Sequence, residues 1–385
     1  MKLLLPALSL SVLYTIFHYA QTNNLAELAK ASIEAKHLPG TDIPLRTTYT
    51  GIEPVDHLLT ILTVFFWPTT DGSNPSLLLH SIAFSGTFGS AWVLVTLEAW
   101  RRGNRGSIAG FPIIFGLTAQ ILTFAFATPL YCFFQLTNSP AYNPTPQNLR
   151  IPRPILKSVP LVFLIGYILP TQLLITPLSE IITADRKQLL IAIWQPWPAY
   201  VSILLSTIHT IHTFFEPKSP TTDPKQEKED RSSLRWIYAL TFGHTALAHV
   251  ITWTISLATL AVPGIFNQTV VRELHPGNVF EVPLPWDGRV VNSVGEGVHC
   301  FLRWDYIIGS LGVLLWAGIV HSRAVRVGGG LGGWFWLKVA LLGVFAGPVG
   351  AAVWLVWERD ELFSSSGSSS GSSGSGSGSG SGKRG

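Results

Sequence analysis

Residues 76–97 read SLLLHSIAFSGTFGSAWVLVTL, a stretch without Asp, Glu, Lys or Arg. A helix needs about 20 such residues to cross the hydrocarbon of a bilayer, so this stretch predicts a transmembrane helix. Stretches of the same kind recur at 107–135, 158–179, 188–215 and 236–263, two more at about 296–320 and 331–357 are interrupted by Glu296, Arg303 and Asp305 and by Lys338, and a first one at 3–20 follows Lys2. His18 stands where a cleaved leader wants a small residue, which favours an uncleaved anchor. The apolar run 58–70 is too short to span and reads as re-entrant or interfacial. The expected fold is all-α, a polytopic transmembrane helical bundle with about seven or eight spans. Pro112, Pro129, Pro160, Pro170 and Pro177 fall inside these stretches, and a bundle tolerates the kinks because neighbouring helices satisfy the freed carbonyls.

The chain divides into an anchor or first span at 1–20, a polar connection at 21–57, the bundle at 58–363 and a Ser/Gly-rich tail at 364–385 too poor in apolar side chains to fold. Over all 385 residues, 47% are hydrophobic and 12% charged, against roughly a quarter charged in soluble domains, so a soluble protein is excluded. The 26 Lys and Arg against 22 Asp and Glu sit in short clusters rather than along one face, so no nucleic-acid partner is expected. Cys132 and Cys300 cannot build a framework of several disulfides and read as packing residues. The connections 137–157, 216–235 and 264–295 are too small for a catalytic domain, which confines any chemistry to the bundle or its mouth. Arg101, Arg102 and Arg105 form the most compact basic loop and predict a cytosolic side, although alternation then places the basic loops 150–157 and 218–235 opposite. The same alternation puts the Asn267-Gln268-Thr269 sequon in the cytosol, as a chance match.

An ionisable side chain inside a bilayer costs roughly 2.5 to 3.5 kcal/mol on insertion scales, so those present are candidates for function. Asp305, in Arg303-Trp304-Asp305-Tyr306, is either a desolvated acid that keeps its proton or the partner of Arg303 at a helix end. Glu98 closes the 76–97 stretch before Arg101, with solvation or ion pairing as the alternative to catalysis. Asp56 opens the short apolar run, where it can be no more than a helix cap. His209, His212 and Glu216 share a helix face, yet a metal needs further ligands from another helix, and His244 and His249 point about 140° apart at 3.6 residues per turn. No metal or other cofactor is expected. Gln195, in Trp194-Gln195-Pro196-Trp197, and Gln120, Gln135 and Gln172 are amides at membrane depth that either glue helices together or orient a ligand, and Trp194, Trp197 and Trp304 lie beside polar groups. A ring-walled pocket with one neutral acid can protonate an alkene or epoxide and stabilise the cation, each ring face offering about 0.5 to 2 kcal/mol. DDxxD, DxDD, NDxxD, Walker and GxSxG motifs do not occur before the Ser/Gly tail, where Gly367-Ser368-Ser369-Ser370-Gly371 matches GxSxG only as part of the low-complexity repeat.

A resemblance then rests on Pro44-Leu45-Arg46-Thr47-Thr48-Tyr49-Thr50-Gly51-Ile52 with Asp56, Phe65-Phe66, and Glu98 followed by Arg102-Gly103-Asn104-Arg105-Gly106. Pro129-Leu130-Tyr131, Trp194-Gln195-Pro196 and Trp304-Asp305-Tyr306 extend it over about residues 40–325. The set resembles the fungal membrane-bound terpene cyclases of ascofuranone-type meroterpenoid biosynthesis. That resemblance implies metal-free, acid-initiated cyclisation of a prenylated aromatic substrate, often carrying a terminal epoxide. It implies Asp305 and Glu98 as the proton-handling carboxyls with Asp56 a weaker third, and Tyr131 in the substrate site beside Gln195 and the three tryptophans. Arg303 stands where relatives are expected to carry a neutral amide. The expected partners are the small hydrophobic substrate, the lipid bilayer and other enzymes of the pathway, and the expected location is the endoplasmic reticulum. A proton-coupled exporter of a hydrophobic metabolite is the competing reading, and it predicts internal repeats with paired broken helices.

Overall fold

The computed structural model describes residues 1–215, 224–328 and 332–365. Glu216 and the Ser/Gly tail beyond 365 lie outside the described residues. Those described are helical apart from connections and one isolated antiparallel bridge, His37 to Pro44. Helix α1 is Leu4–Val12, continued through a π-helical stretch Leu13–His18 into Tyr19–Thr22. The 21–57 connection contains α2, Leu25–Ala35, before α3, Glu53–Phe66. Then come α4 (Pro75–Ala99), α5 (Pro112–Ile121), α6 (Phe124–Asn138), α7 (Arg153–Ile175), α8 (Ala184–Trp194), α9 (Trp197–Phe215) and α10 (Pro224–Ala261). Two short helices, α11 (Gln268–Glu273) and α12 (Pro276–Phe280), precede the long α13 (Val294–Gly328) and α14 (Phe335–Ser365).

Helices α4, α7, α13 and α14 are each long and apolar enough to cross a membrane, and α8 with α9 make a fifth candidate broken by a 54° bend. Among the described residues the polytopic reading therefore rests on four such helices, or five with the bent pair, which does not confirm seven or eight. The largest departure is 107–135, expected as one span. It breaks into α5 and α6 at Leu122, whose φ/ψ of −98°/−83° is not helical, and Thr123 restarts the chain by accepting a hydrogen bond from the Phe126 N–H at 2.9 Å. A threonine side chain is a good helix N-cap, so the restart is written in the residue itself. The 331–357 stretch also departs from one straight helix, because Gly347, at φ 76° and ψ 169°, kinks α14 ahead of Pro348.

Helix α4 is the axis of the bundle, with α10, α13 and α14 packed on it. Small residues on its inner face allow this: a Cβ at Gly86 would stand 2.4 Å from Ala248, and one at Gly89 2.2 Å from the Tyr167 ring. Apolar packing alone gives little drive for association in lipid, so close backbone approach and polar contacts between helices carry more of the load. Cys132 and Cys300 are buried and unbridged.

Candidate active site

A cavity of about 300 Å³ opens where the α5–α6 break meets α13. Its walls come from the last turns of α3, the first half of α4, the C-terminal half of α7, Trp194 and α13. Rings face it on several sides. Phe65 meets Phe301 edge-on at 4.9 Å, Phe66 meets Trp194 at 5.5 Å, and Phe124 lies 5.0 Å from Phe88. Irregular backbone at membrane depth is tolerated where it lines a cavity, and Leu122 and Thr123 do so here.

Asp305 is the one carboxyl among the residues lining this chamber, and it is only 5% exposed. Its Oδ1 accepts the N–H of Ala125 at 2.6 Å, in the first turn of α6. The unpaired N–H groups of that turn make it an acceptor-seeking end, so the break in the helix fixes one carboxyl oxygen. Arg303 does not pair with Asp305. Positions two apart on a helix face different ways, and Arg303 donates instead to the carbonyls of Val279 and Asn278. That removes the ion-pair alternative for Asp305. Thr69, Thr70, Gln120, Thr171 and Gln172 supply the remaining polar edge. Trp194 lines the chamber with its Nε1–H held by Thr171 at 3.0 Å.

Glu98 lies elsewhere. On α4 it is ten residues beyond Phe88, about 15 Å along the axis at 1.5 Å per residue. Its Oε1 accepts from Arg101 Nε and from Arg359 Nη2, both at 2.6 Å, and Asp360 accepts from Arg101 Nη2 at 2.8 Å and from the Tyr238 hydroxyl at 2.7 Å. Gln135 reaches Glu98 at 3.4 Å and is itself held by Trp316 Nε1 at 2.9 Å. Two carboxylates and two guanidinium groups, buried together, tie α4, α6, α10, α13 and α14 at one end of the bundle. The expectation that Glu98 and Asp305 converge on one chamber is not met.

Asp56 is also away from the cavity. It accepts the N–H groups of Tyr49, Thr50 and Gly51 at 2.7 to 3.1 Å and the Thr50 hydroxyl at 2.8 Å, pinning the incoming chain to the first turn of α3. The Thr50 N–H, seconded by the Thr50 hydroxyl and the other two amides, holds its carboxyl below the usual aspartate range. A depressed folded pKa contributes stability above the unfolded value that is lost as pH falls through the folded one. The stability advantage of wild type over Asp56→Asn is therefore expected to be full near neutrality and to shrink below about pH 4, measured by thermal unfolding in detergent across pH. An advantage that stays constant down to pH 2 would contradict this cap.

Of the other candidates, Trp197 is fully buried in a ring cluster with Trp92 and Tyr167. Tyr131 donates to the carbonyls of Val95 and Ala109, and Trp304 donates to that of Pro283 at 2.9 Å. None of the three lines the chamber. Gln195 sits in the α8–α9 bend, 5% exposed, with neither amide atom partnered and outside the cavity wall. His244 contacts Ser90 at 3.3 Å and His249 the Val344 carbonyl at 3.0 Å, so they take separate neighbours. Among the described residues no group of three or more His, Cys, Asp or Glu is placed to hold a metal ion. Gln120 and Gln172, amides at membrane depth of the kind that can glue helices or orient a ligand, both line the chamber, and Thr123 joins them although the sequence did not single it out.

The CtvD domain model matches residues 1–364. Terpene cyclase ctvD of Aspergillus terreus is 30% identical, with 93% of this chain and 98% of that protein aligned. Terpene cyclase ascI of Acremonium egyptiacum is 30% identical over 94% of this chain and 91% of its own, and terpene cyclase penA of Penicillium crustosum 28% over 90% and 91%. No solved structure matches.

Proposed function

The chain belongs to the CtvD-domain family of fungal terpene cyclases, and from that premise we propose that it is an integral membrane enzyme in which Asp305 starts a carbocation cyclisation. The substrate is a prenylated aromatic with a terminal epoxide on its chain. The anchored Oδ1 leaves the other carboxyl oxygen to carry the proton. That proton passes to the epoxide oxygen, the C–O bond to the more substituted carbon breaks, and its electron pair stays on the new hydroxyl. The π pair of an internal alkene, or a hydroxyl oxygen, attacks the cationic carbon. Loss of a proton from carbon, or capture by a hydroxyl of the substrate itself with loss of that hydroxyl's proton, ends the sequence; the released proton restores the acid form of Asp305, so the product is an isomer of the substrate. No metal ion takes part in this scheme, because the proton does the work of activating the leaving oxygen.

The observation that carries this reading is one buried carboxyl in a chamber otherwise walled by rings, aliphatic side chains and neutral polar groups. Ring faces turned to a developing cation each contribute about 0.5 to 2 kcal/mol, or roughly 2- to 30-fold in rate. Trp194→Leu is accordingly expected to lower turnover within that range while substrate binding changes less, read from kcat and KM separately. The reading itself is tested by incubating membranes that contain the protein with an epoxyprenyl phenol. A product of unchanged mass and new retention, absent from control membranes, supports it, whereas recovery of substrate alone counts against it. The proposed membrane is the endoplasmic reticulum, with more passes than the four helices that meet the length and hydropathy test.

A further inference from the structure

A second cavity, of about 280 Å³, is lined in part by other residues of the same two helices, α4 and α13. His80 and Ala83 of α4 and Arg303, Tyr306 and Ile307 of α13 face it, whereas Ser81, Phe84 and Asp305 on the same helices face the reaction chamber. Its contents are chemically unlike those of the first. Arg303 is 6% exposed and spends Nε and Nη2 on the Val279 and Asn278 carbonyls, and no carboxylate pairs with it among the described residues. A buried guanidinium with no carboxylate in ion-pair contact, and the charge of Glu281 reaching it only at longer range, is costly and calls for an oxyanion. His80, 3% exposed, makes no hydrogen bond of normal geometry from either ring nitrogen, the Leu302 backbone offering it only a weak one. A buried imidazole so weakly partnered is the exception that asks for a ligand or water. Across the chamber, Trp253 and Phe280 stack at 3.9 Å and 12°, a flat aromatic wall beside these polar groups.

We propose that this chamber binds a small aromatic acid, its carboxylate between Arg303 and His80 and its ring along Trp253. A dry cavity of about 150 Å³ takes benzene, so this one has room for a substituted or fused ring. The site is separate from Asp305, and its occupancy does not depend on the cyclase reading.

The probe is 2-naphthoate, titrated against the full chain in phosphatidylcholine nanodiscs and followed by tryptophan fluorescence, with 2-naphthamide as its uncharged counterpart. Wild type is expected to bind the carboxylate at least tenfold more tightly than the amide. Arg303→Gln is expected to erase that preference. His80→Phe, which keeps a flat ring and removes both nitrogens, weakens the carboxylate several-fold even if the arginine variant fails to fold. Trp253→Phe loses most of the fluorescence change while binding by calorimetry persists. Equal affinity of wild type for the two probes, or a tenfold preference that survives in Arg303→Gln, overturns the proposal. Displacement of naphthoate by phosphatidate in the nanodisc overturns it in favour of a lipid headgroup as the occupant.

Discussion

Asp305→Asn abolishes cyclisation in this scheme, with turnover lower by about 10² to 10⁴, the usual contribution of a positioned general acid. The substitution is isosteric, and the asparagine carbonyl can still accept the Ala125 N–H that Oδ1 accepts at 2.6 Å. What disappears is the proton. Because the substrate touches the same walls, KM is expected to change far less than kcat, the pattern of an interaction made only in the transition state. Unfolding in detergent should shift by no more than about 1 kcal/mol, since one hydrogen-bonded polar group replaces another. Two outcomes would defeat the assignment: turnover within threefold of wild type, or a loss of activity matched by loss of folded protein.

The sequence carried the helical class and pointed to Asp305, the buried carboxyl that lines the chamber, and it failed where backbone and tertiary context decide. An apolar run such as 76–97 has one solution in lipid, because every backbone polar group must be satisfied inside the segment. The run 107–135 looks the same by hydropathy yet breaks at Leu122, since the freed groups find a partner in Asp305, 180 residues away in the chain. No window over 107–135 contains that partner. The ambiguity between Asp305 as acid and as the mate of Arg303 was also tertiary. It resolves only when α12 brings the carbonyls of Asn278 and Val279 to the guanidinium. Phe65-Phe66 and Trp194 were legible as parts of the resemblance, and both reach the chamber. Tyr131 carried the same signal and Trp197 lay beside a polar group, yet both went to packing, because an aromatic residue's type does not say which side of its helix faces a void.

Glu98→Gln is expected to cost stability rather than chemistry. Glu98 and Asp360 balance Arg101 and Arg359, and all four are at most 7% exposed. Replacing the carboxylate with an amide keeps its shape but leaves a net positive charge buried among five helices. Breaking a buried ion pair from one side typically costs about 3 to 5 kcal/mol, because the remaining charge has no counter-ion. Removing one cation as well should recover much of that loss, so Glu98→Gln with Arg359→Met is expected to be less destabilised than the sum of the two single variants. Unfolding of the four proteins in the same detergent measures the coupling. Activity per folded molecule separates the two acids further, since Glu98 sits about 15 Å along α4 from the last residue of that helix to touch the chamber. It should stay within about threefold of wild type for Glu98→Gln, against a loss of 10² or more for Asp305→Asn. A Glu98→Gln protein that unfolds like wild type and turns over a hundredfold more slowly would return the carboxylate to the reaction and leave the ion network without its structural role.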